Sequence, residues 1–363
     1  MSLKLALIGG GINSAVGYTH VIASQMDGHF KIVAGAFSTH PEINERSGDT
    51  YGLAPERVFD CWRTMIEVLG DELDAVAVLT PTPSHSEIVL HVLRKGIDVI
   101  CEKSLATSSV DAQKIADVAD ECGCQCLVTF NYSGYPAVRE IRKQVLNGHL
   151  GSIRQVSIEM PQEGFLRQGA APQEWRIRDY EVPTVSLDLG VHVAHLAEYV
   201  APCGMTTSVS STECHSGAVS DVVDNVNALV TFENGALGNF WWSKAALGYR
   251  NGLRVRVFGS DAAAEWHQMN PEELLLSFND GRREIIDRGR GHAESELEQP
   301  EYNRFKPGHP AGFIEAFANL YADFSGLLRG QPESSDHAHS AHAAARGLRF
   351  LEEVHRSPIR KSR

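Results

Sequence analysis

The chain has no apolar run approaching the ~18 residues that would suggest a membrane span, and its longest hydrophobic stretches are strand-sized. It is short of basic charge: 33 Lys and Arg stand against 46 Asp and Glu, for a formal net charge of −13. Phosphate binding needs a basic stripe, so a nucleic-acid partner is excluded. Only Arg360-Lys361-Ser362-Arg363 is notably basic, and a short terminal tail of that kind is expected to be disordered. Seven cysteines in 363 residues do not make the disulfide framework of a small secreted domain. Cys122, Cys124 and Cys126 alternate, but zinc ligands come as spaced pairs backed by a second pair, and no second pair follows. No metal is expected. Met1 runs straight into a strand-like segment without the parts of a signal peptide, so a cytoplasmic location is the default expectation.

What is present describes an ordinary globular protein, with 43% hydrophobic and 22% charged residues. At this length two domains are expected. The first, residues 1–131, alternates strands and helices: Leu3–Ile8, a helix through Val21 and Met26, Lys31–Phe37, a helix near Cys61–Leu69, Asp74–Leu79, a helix Glu87–Lys95 stopped by Gly96, Val99–Cys101, a helix 108–121 capped by Ser109, and Cys126–Phe130. That alternation demands a doubly wound parallel sheet with right-handed crossovers, a Rossmann-type α/β domain. The second domain, 132–363, opens with a helix 136–148 and then becomes strand-rich. Ile153–Met160, Thr206–Glu213, Asn225–Phe232, Ala236–Ser243, Leu253–Gly259 and Leu274–Phe278 are interrupted by one helix, Leu187–Val200. Glu233-Asn234-Gly235 and Asn279-Asp280-Gly281 signal hairpin turns. An α+β domain with a large, mostly antiparallel open sheet is therefore expected, closed by helices 311–329 and 338–355. Gly289–Gly312 is a long polar loop of the kind that often serves as a lid or an interface arm.

Ligands of open α/β sheets bind outside the carboxyl ends of the strands, and the chemistry-bearing residues fall there. Gly9-Gly10-Gly11 follows the first strand and leads into a helix, the context of a dinucleotide turn in which Gly9 and Gly11 let the backbone approach a pyrophosphate. The next glycine is Gly17, six residues on rather than three, which implies an insertion carrying Asn13 and Ser14 as further phosphate donors. The second strand ends Phe37-Ser38-Thr39-His40 without the acid that would select a ribose 2′-hydroxyl and repel a 2′-phosphate. Ser38 and Thr39 suit either group, so NAD and NADP both remain open. Val99-Ile100-Cys101 ends abruptly in Glu102-Lys103, a carboxylate and an ammonium at a strand end.

With these residues in view the chain resembles the Gfo/Idh/MocA family of NAD(P)-dependent oxidoreductases over almost its whole length. The markers are the glycine turn with Gly17-x-x-His20, Thr80-Pro81-x-x-x-His85, Cys101-Glu102-Lys103, Asn131-Tyr132 with Pro136 and Arg139, and Asp188-x-Gly190-x-His192. Gly308-His309-Pro310 with Phe313-x-Glu315-Ala316-Phe317 resembles a sugar- and cyclitol-oxidising branch. Ser104 stands where the family has proline, which removes a rigid φ beside the lysine, and Pro183-Thr184-Val185-Ser186 replaces a glycine-rich run.

The resemblance implies a dehydrogenase acting on the CH–OH group of a sugar, inositol-like cyclitol or sugar derivative, with a slight lean to NAD. It implies that His192 takes the hydroxyl proton and that Lys103 polarises the oxygen and contacts the nicotinamide ribose. Asp188, four residues before His192 and thus one helical turn away, would orient the imidazole and raise its basicity. Cofactor contacts are expected from Gly9, Gly11, Asn13, Ser14, Ser38, Thr39, Thr80, Pro81, His85, Glu102, Lys103 and Asn131. Substrate contacts are expected from Lys103, Tyr132, Trp175, Arg176, His192, His195 and His309. Two other readings stay open: a nucleotide-sugar dehydrogenase, reductase or lyase with tightly held NAD, and a non-catalytic NAD(P)-binding regulator. Val226, Ala228, Val230, Phe240 and Trp242 are read as alternating apolar positions on both faces of the second sheet, one face covering local helices and the cleft and the other burying against a second subunit, so a homodimer or homotetramer built through that sheet is expected.

Overall fold

The computed structural model describes residues 1–169, 172–219, 222–289 and 294–362. Its elements begin β1 (Leu3–Gly9), α1 (Gly17–Met26), β2 (Phe30–Ala36), α2 (Pro41–Thr50), α3 (Trp62–Leu69), β3 (Ala75–Leu79), α4 (His85–Arg94), β4 (Asp98–Cys101), α5 (Ser109–Cys122), β5 (Cys126–Val128) and α6 (Pro136–Leu146). They continue with β6 (Ile153–Pro161), a π-helical turn Ser186–Gly190 running into α7 (Val191–Val200), β7 (Thr206–Cys214), β8 (Asn225–Phe232) and β9 (Leu237–Ser243). The chain ends with β10 (Arg254–Gly259), β11 (Ala262–His267), β12 (Leu274–Phe278), β13 (Arg283–Ile286), α8 (Phe313–Leu328), α9 (Ala341–Arg356) and β14 (Pro358–Ser362). Among the described residues no helix is long and apolar enough to cross a membrane.

The chain forms two compact units, Met1–Gly134 with Phe313–Ala345, and Tyr135–Gly312 with Arg346–Arg363. The first is built on a parallel sheet in the order β2-β1-β3-β4-β5. Strands β1, β3 and β4 are buried on both faces, as a sheet sandwiched between helices requires. The order reverses at β1, so its carboxyl end is the switch point where such sheets take ligands. The expected domain 132–363 is not one packing unit. Phe317, Leu320, Tyr321 and Phe324 of α8 share a core cluster with Leu5, Leu7, Phe30 and Ile32, so α8 returns to the first unit and packs on α1. The cap of α5 is Ser108, whose Oγ accepts from the Asp111 amide at 3.1 Å, rather than Ser109.

The second unit carries a nine-stranded sheet, β13-β12-β11-β10-β6-β9-β8-β7-β14, antiparallel except for the β6–β9 and β7–β14 pairs. The basic end of the chain is not a free tail, since Pro358–Ser362 adds a parallel edge strand to β7. Val226, Ala228, Val230, Phe240 and Trp242 do not divide between the two faces as expected: the register pairs Val226 with Trp242 and Ala228 with Phe240, so all five are buried on a single face. That face is covered within the subunit, Phe240 by Phe350 of α9 and Trp242 by the π turn. The opposite face mixes cross-strand ion pairs, Arg254–Glu265 at 2.6 Å and Arg256–Glu159, with exposed Leu229, Leu237 and Phe258. The described part of the 289–312 loop is tied down. Arg139, 1% exposed, bonds the Tyr302 hydroxyl and stacks on its ring, Glu140 accepts from Ser295 and Glu296, and Arg288 donates to the Phe305 and His309 carbonyls.

Candidate active site

In the first unit the candidate residues gather at the carboxyl ends of β1 to β5. The chain leaves β1 through Gly9 (φ 79°) and Gly10 (φ 74°), both left-handed, a conformation that favours glycine. A Cβ on Gly10 would stand 2.7 Å from the Leu79 side chain, and one on Gly17 only 2.1 Å from the Gly10 carbonyl oxygen. Gly10 and Gly17 are therefore tight positions as much as the expected Gly9 and Gly11. Gly17 brings the start of α1 against the turn, the close approach that the third glycine of a dinucleotide fingerprint provides. Ser14 Oγ accepts from the Gly17 amide at 3.1 Å, and Asn13 is exposed at the turn's rim. The turn is further held by Tyr51, donating to the Gly10 carbonyl at 2.9 Å, and by Ser47, accepting from the Ile12 amide at 3.0 Å. Asn44 does the same after β2, accepting from the Phe37 amide at 2.8 Å, and leaves Ser38 half-buried and Thr39 exposed. Pattern reading missed Tyr51, Ser47 and Asn44, all supplied by or just after α2, a polar helix without a clear apolar stripe.

Glu102 and His85 turn inward. The Glu102 carboxylate accepts from His20 Nε2 at 3.0 Å and Thr129 Oγ1 at 2.5 Å. Burial pushes its pKa up, but His20, Lys103 and Thr129 together bring it below the usual carboxylate value. The other ring nitrogen of His20, Nδ1, lies 2.8 Å from the Tyr321 hydroxyl. Burial raises the Tyr321 phenol, keeping its proton in place. His85 is fully buried, with Nδ1 2.7 Å from the Ser104 carbonyl and Nε2 2.7 Å from the Thr80 carbonyl. It braces the end of β3, with Thr80 and Pro81, against the turn after β4, and burial is the main cause of its lowered pKa. Lys103 is thus a half-buried residue on a turn held from both sides, and the Lys103–Ser104 peptide is cis. Asn131 and Tyr132 lie in a buried 3₁₀ turn after β5, and among the described residues the Asn131 Nδ2 has no hydrogen-bond partner.

In the second unit Asp188 and His192 are 6% and 3% exposed. They sit on a π turn leading into α7 rather than on one regular α-helix, and single π turns are frequent at functional sites. The turn is wedged from below. Trp242 Nε1 donates to Ser186 Oγ at 2.8 Å, His355 Nε2 lies 2.8 Å from the same oxygen, and His355 Nδ1 bonds the buried Glu213 carboxylate. A Cβ on Gly190 would meet Leu351, Ser186 and Trp242 within 3.0 to 3.1 Å. The Asp188 carboxylate is paired with Lys244 Nζ at 2.6 Å and Arg176 Nε at 3.3 Å. Arg176 in turn stacks on Trp175, 4.4 Å from its ring. His195 is buried and stacked on Tyr199, and burial followed by the nearby Arg142 charge lowers its pKa to about 3. It is a neutral ring at pH 7. His309 is exposed, with Nδ1 3.3 Å from the Lys306 carbonyl.

Residues 3–130 match an oxidoreductase family with an NAD-binding Rossmann fold, and residues 138–265 match the GFO/IDH/MocA C-terminal domain. The YfiI protein of Bacillus subtilis, named as an uncharacterized oxidoreductase, is 30% identical over 336 residues, 89% of this chain and 84% of that one. The chain belongs to the Gfo/Idh/MocA family of oxidoreductases. The levoglucosan dehydrogenase of Pseudarthrobacter phenanthrenivorans is 24% identical over 309 residues, 76% of each chain. An inositol dehydrogenase homologue from Azotobacter vinelandii, solved with NADH and myo-inositol, has a TM-score of 0.88 at 29% identity and covers 98% of this chain and 95% of that one.

As a Gfo/Idh/MocA protein the chain is an NAD-binding oxidoreductase, and its first unit fits a dinucleotide on its own geometry. The glycine turn leaves room for close backbone approach at the switch point. The buried Asn131 amide nitrogen at the same sheet end, without a partner among the described residues, is an orphan donor of the kind a bound polar group satisfies. Lys244 is the residue of the second unit that pattern reading passed over. It follows Phe240-Trp241-Trp242-Ser243 as Lys103 follows Val99-Ile100-Cys101, so the signal that singled out Lys103 was present there too.

Proposed function

We propose that the protein oxidises a secondary alcohol of a sugar, a cyclitol or a sugar derivative, or runs the reverse reduction, with NAD as the preferred cofactor. The observation that carries this reading is the burial of Asp188 and His192, four residues apart on the braced π turn and the first turn of α7, in a family with sugar and inositol dehydrogenases among its members. The nicotinamide, when bound, supplies hydride acceptance. His192 removes the hydroxyl proton, Asp188 holds the imidazole in one tautomer, and Lys103 donates to the reacting oxygen as charge grows on it. Asn13, Ser14 and the Gly9-Gly11 backbone would hold the pyrophosphate, and Arg176 and Trp175 would line the sugar. The test is a panel of polyols, inositols and sugars with NAD and NADP, followed by nicotinamide absorbance. Absence of turnover across the panel, with NAD bound, would favour the regulator reading.

The lean to NAD rests on the NAD and NADH found in similar solved structures and not on an acid after β2. Ser38→Asp should therefore weaken NADP binding at least about tenfold by charge repulsion, roughly 1.4 kcal/mol, and leave NAD nearly unchanged. Unaltered NADP affinity by titration would show that this strand does not end at the ribose.

For assembly we propose a homodimer or homotetramer through the outer sheet face, where Leu229 and Leu237, diagonal neighbours on β8 and β9, are 62% and 52% exposed. Light scattering at micromolar concentration should give a multiple of the chain mass, and Leu229→Glu with Leu237→Glu should reduce it. A monomer before any substitution would remove this proposal.

A further inference from the structure

A carboxylate as buried as Asp188 needs cations or donors around it, because an uncompensated charge in that position is strongly unfavourable. Its two cations are held very differently. Arg176 comes from a 3₁₀ turn, approaches at 3.3 and 3.4 Å, and shares its guanidinium with Gln173 and the Trp175 ring. Lys244 is fixed by the sheet. Its backbone amide donates to the Asp224 carbonyl at 2.7 Å and its carbonyl accepts from the Phe165 amide at 2.9 Å. Its ammonium is 2.6 Å from Asp188 Oδ2 and 2.8 Å from Gln162 Oε1, with the side chain 14% exposed.

We infer that Lys244 is a positioning residue for the proton-handling residues Asp188 and His192: it holds the Asp188 carboxylate in one rotamer on the π turn that leads into His192. The inference rests on the catalytic reading of Asp188 and His192 given above. Lys244 acts through Asp188 and takes no proton itself. Two consequences separate this from a merely structural lysine. Its effect on turnover should vanish once Asp188 carries no charge, and a cation of different shape at the same place should restore part of the activity.

The experiment is a double-mutant cycle on the full-length protein with the best substrate of the panel, comparing Lys244→Met, Asp188→Asn, the double variant and Lys244→Arg. Thermal unfolding and NAD titration accompany each variant, and Lys244→Gln replaces Lys244→Met if the latter does not fold. Lys244→Met should lower kcat by about 10- to 100-fold, with NAD affinity unchanged within about threefold. The double variant should be within about threefold of Asp188→Asn alone, the signature of two coupled residues. Lys244→Arg should recover at least about half of the lost activity on a logarithmic scale. If Asp188→Asn is impaired but Lys244→Met is near normal, or multiplies fully with it, the inference is overturned and the catalytic reading stands. If Asp188→Asn itself turns over like the wild type, the catalytic reading falls and takes the inference with it.

Discussion

Lys103→Met and His192→Ala should each cut turnover of a verified polyol substrate by about 10²–10⁴-fold, the range typical of a lost acid or base, with NAD still bound. The surroundings argue that neither change is a folding defect. Lys103 sits on a turn secured by its neighbours: Glu102 is bonded to His20 and Thr129, and the Ser104 carbonyl to His85. Methionine keeps the stem and loses only the charge. His192 is in the first turn of α7, where alanine is a good helix former, and the turn before it remains clamped through Ser186 and Gly190. Asp188→Asn should cost less, because the amide still occupies the site and the imidazole keeps its place. Groups that act as one unit are non-additive, so the triple variant should be little worse than the worst single one. Steady-state kinetics with a parallel NAD titration decide the matter. Near-normal turnover in both single variants would end the mechanism.

The parts of the molecule that sequence reading reached are those with a local signal. A hydrophobic run that stops at Glu102-Lys103 marks a strand end whatever the rest of the chain does. Thr80-Pro81 and Asn131-Tyr132 mark theirs in the same way. Elements without such a signal were missed. β11 begins Ala262-Ala263-Ala264, residues of low strand preference; it is a strand because β10 and β12 pair with it on either side. β14 is basic and terminal, and it pairs with the open edge of β7, a contact that nothing in its own sequence announces. Helix α8 is apolar enough to be found, but nothing in its pattern says that it packs on α1 and the first core rather than on the sheet that precedes it in the chain.

The same distinction divides the site. Asp188 and His192 are four residues apart and could be paired by spacing alone. The ion pair of Asp188 with Lys244, and the seat made for Ser186 by Trp242, His355 and Glu213, join residues far apart in sequence. Periodicity carries no information about such contacts, because it reports which face a residue occupies and not what it meets there. His85 and Glu102 show the converse. Both stand at strand ends where a cofactor is expected, yet their side chains are spent on bracing the turn that carries Lys103.

Gly17→Ala is expected to be far more damaging than Gly11→Ala, although motif reading weights Gly11. A Cβ at position 17 would lie 2.1, 2.6 and 2.8 Å from the oxygen, carbonyl carbon and Cα of Gly10, all backbone atoms that cannot swing aside. At position 11 the nearest atom is the Ser47 hydroxyl at 3.1 Å, followed by the Phe37 carbonyl oxygen at 3.2 Å, contacts that a few tenths of an ångström relieve. To accept alanine, residue 17 must push the start of α1 away from the turn, and with it break the Ser14 bond to the Gly17 amide and the turn's fit to a pyrophosphate. Overpacking of this kind typically costs about 1–3 kcal/mol and occasionally more. We expect Gly17→Ala to weaken NAD binding by at least about a hundredfold and to lower the melting temperature, and Gly11→Ala to stay within about tenfold. Gly28→Ala is the control, since φ is 71° there but nothing lies within 4 Å of the added methyl; it should lose about 1 kcal/mol of stability and no cofactor affinity. Calorimetric NAD titration of the three variants reads the order directly. If Gly17→Ala binds NAD as the wild type does, the tight contact between the turn and α1 is not what shapes the dinucleotide site.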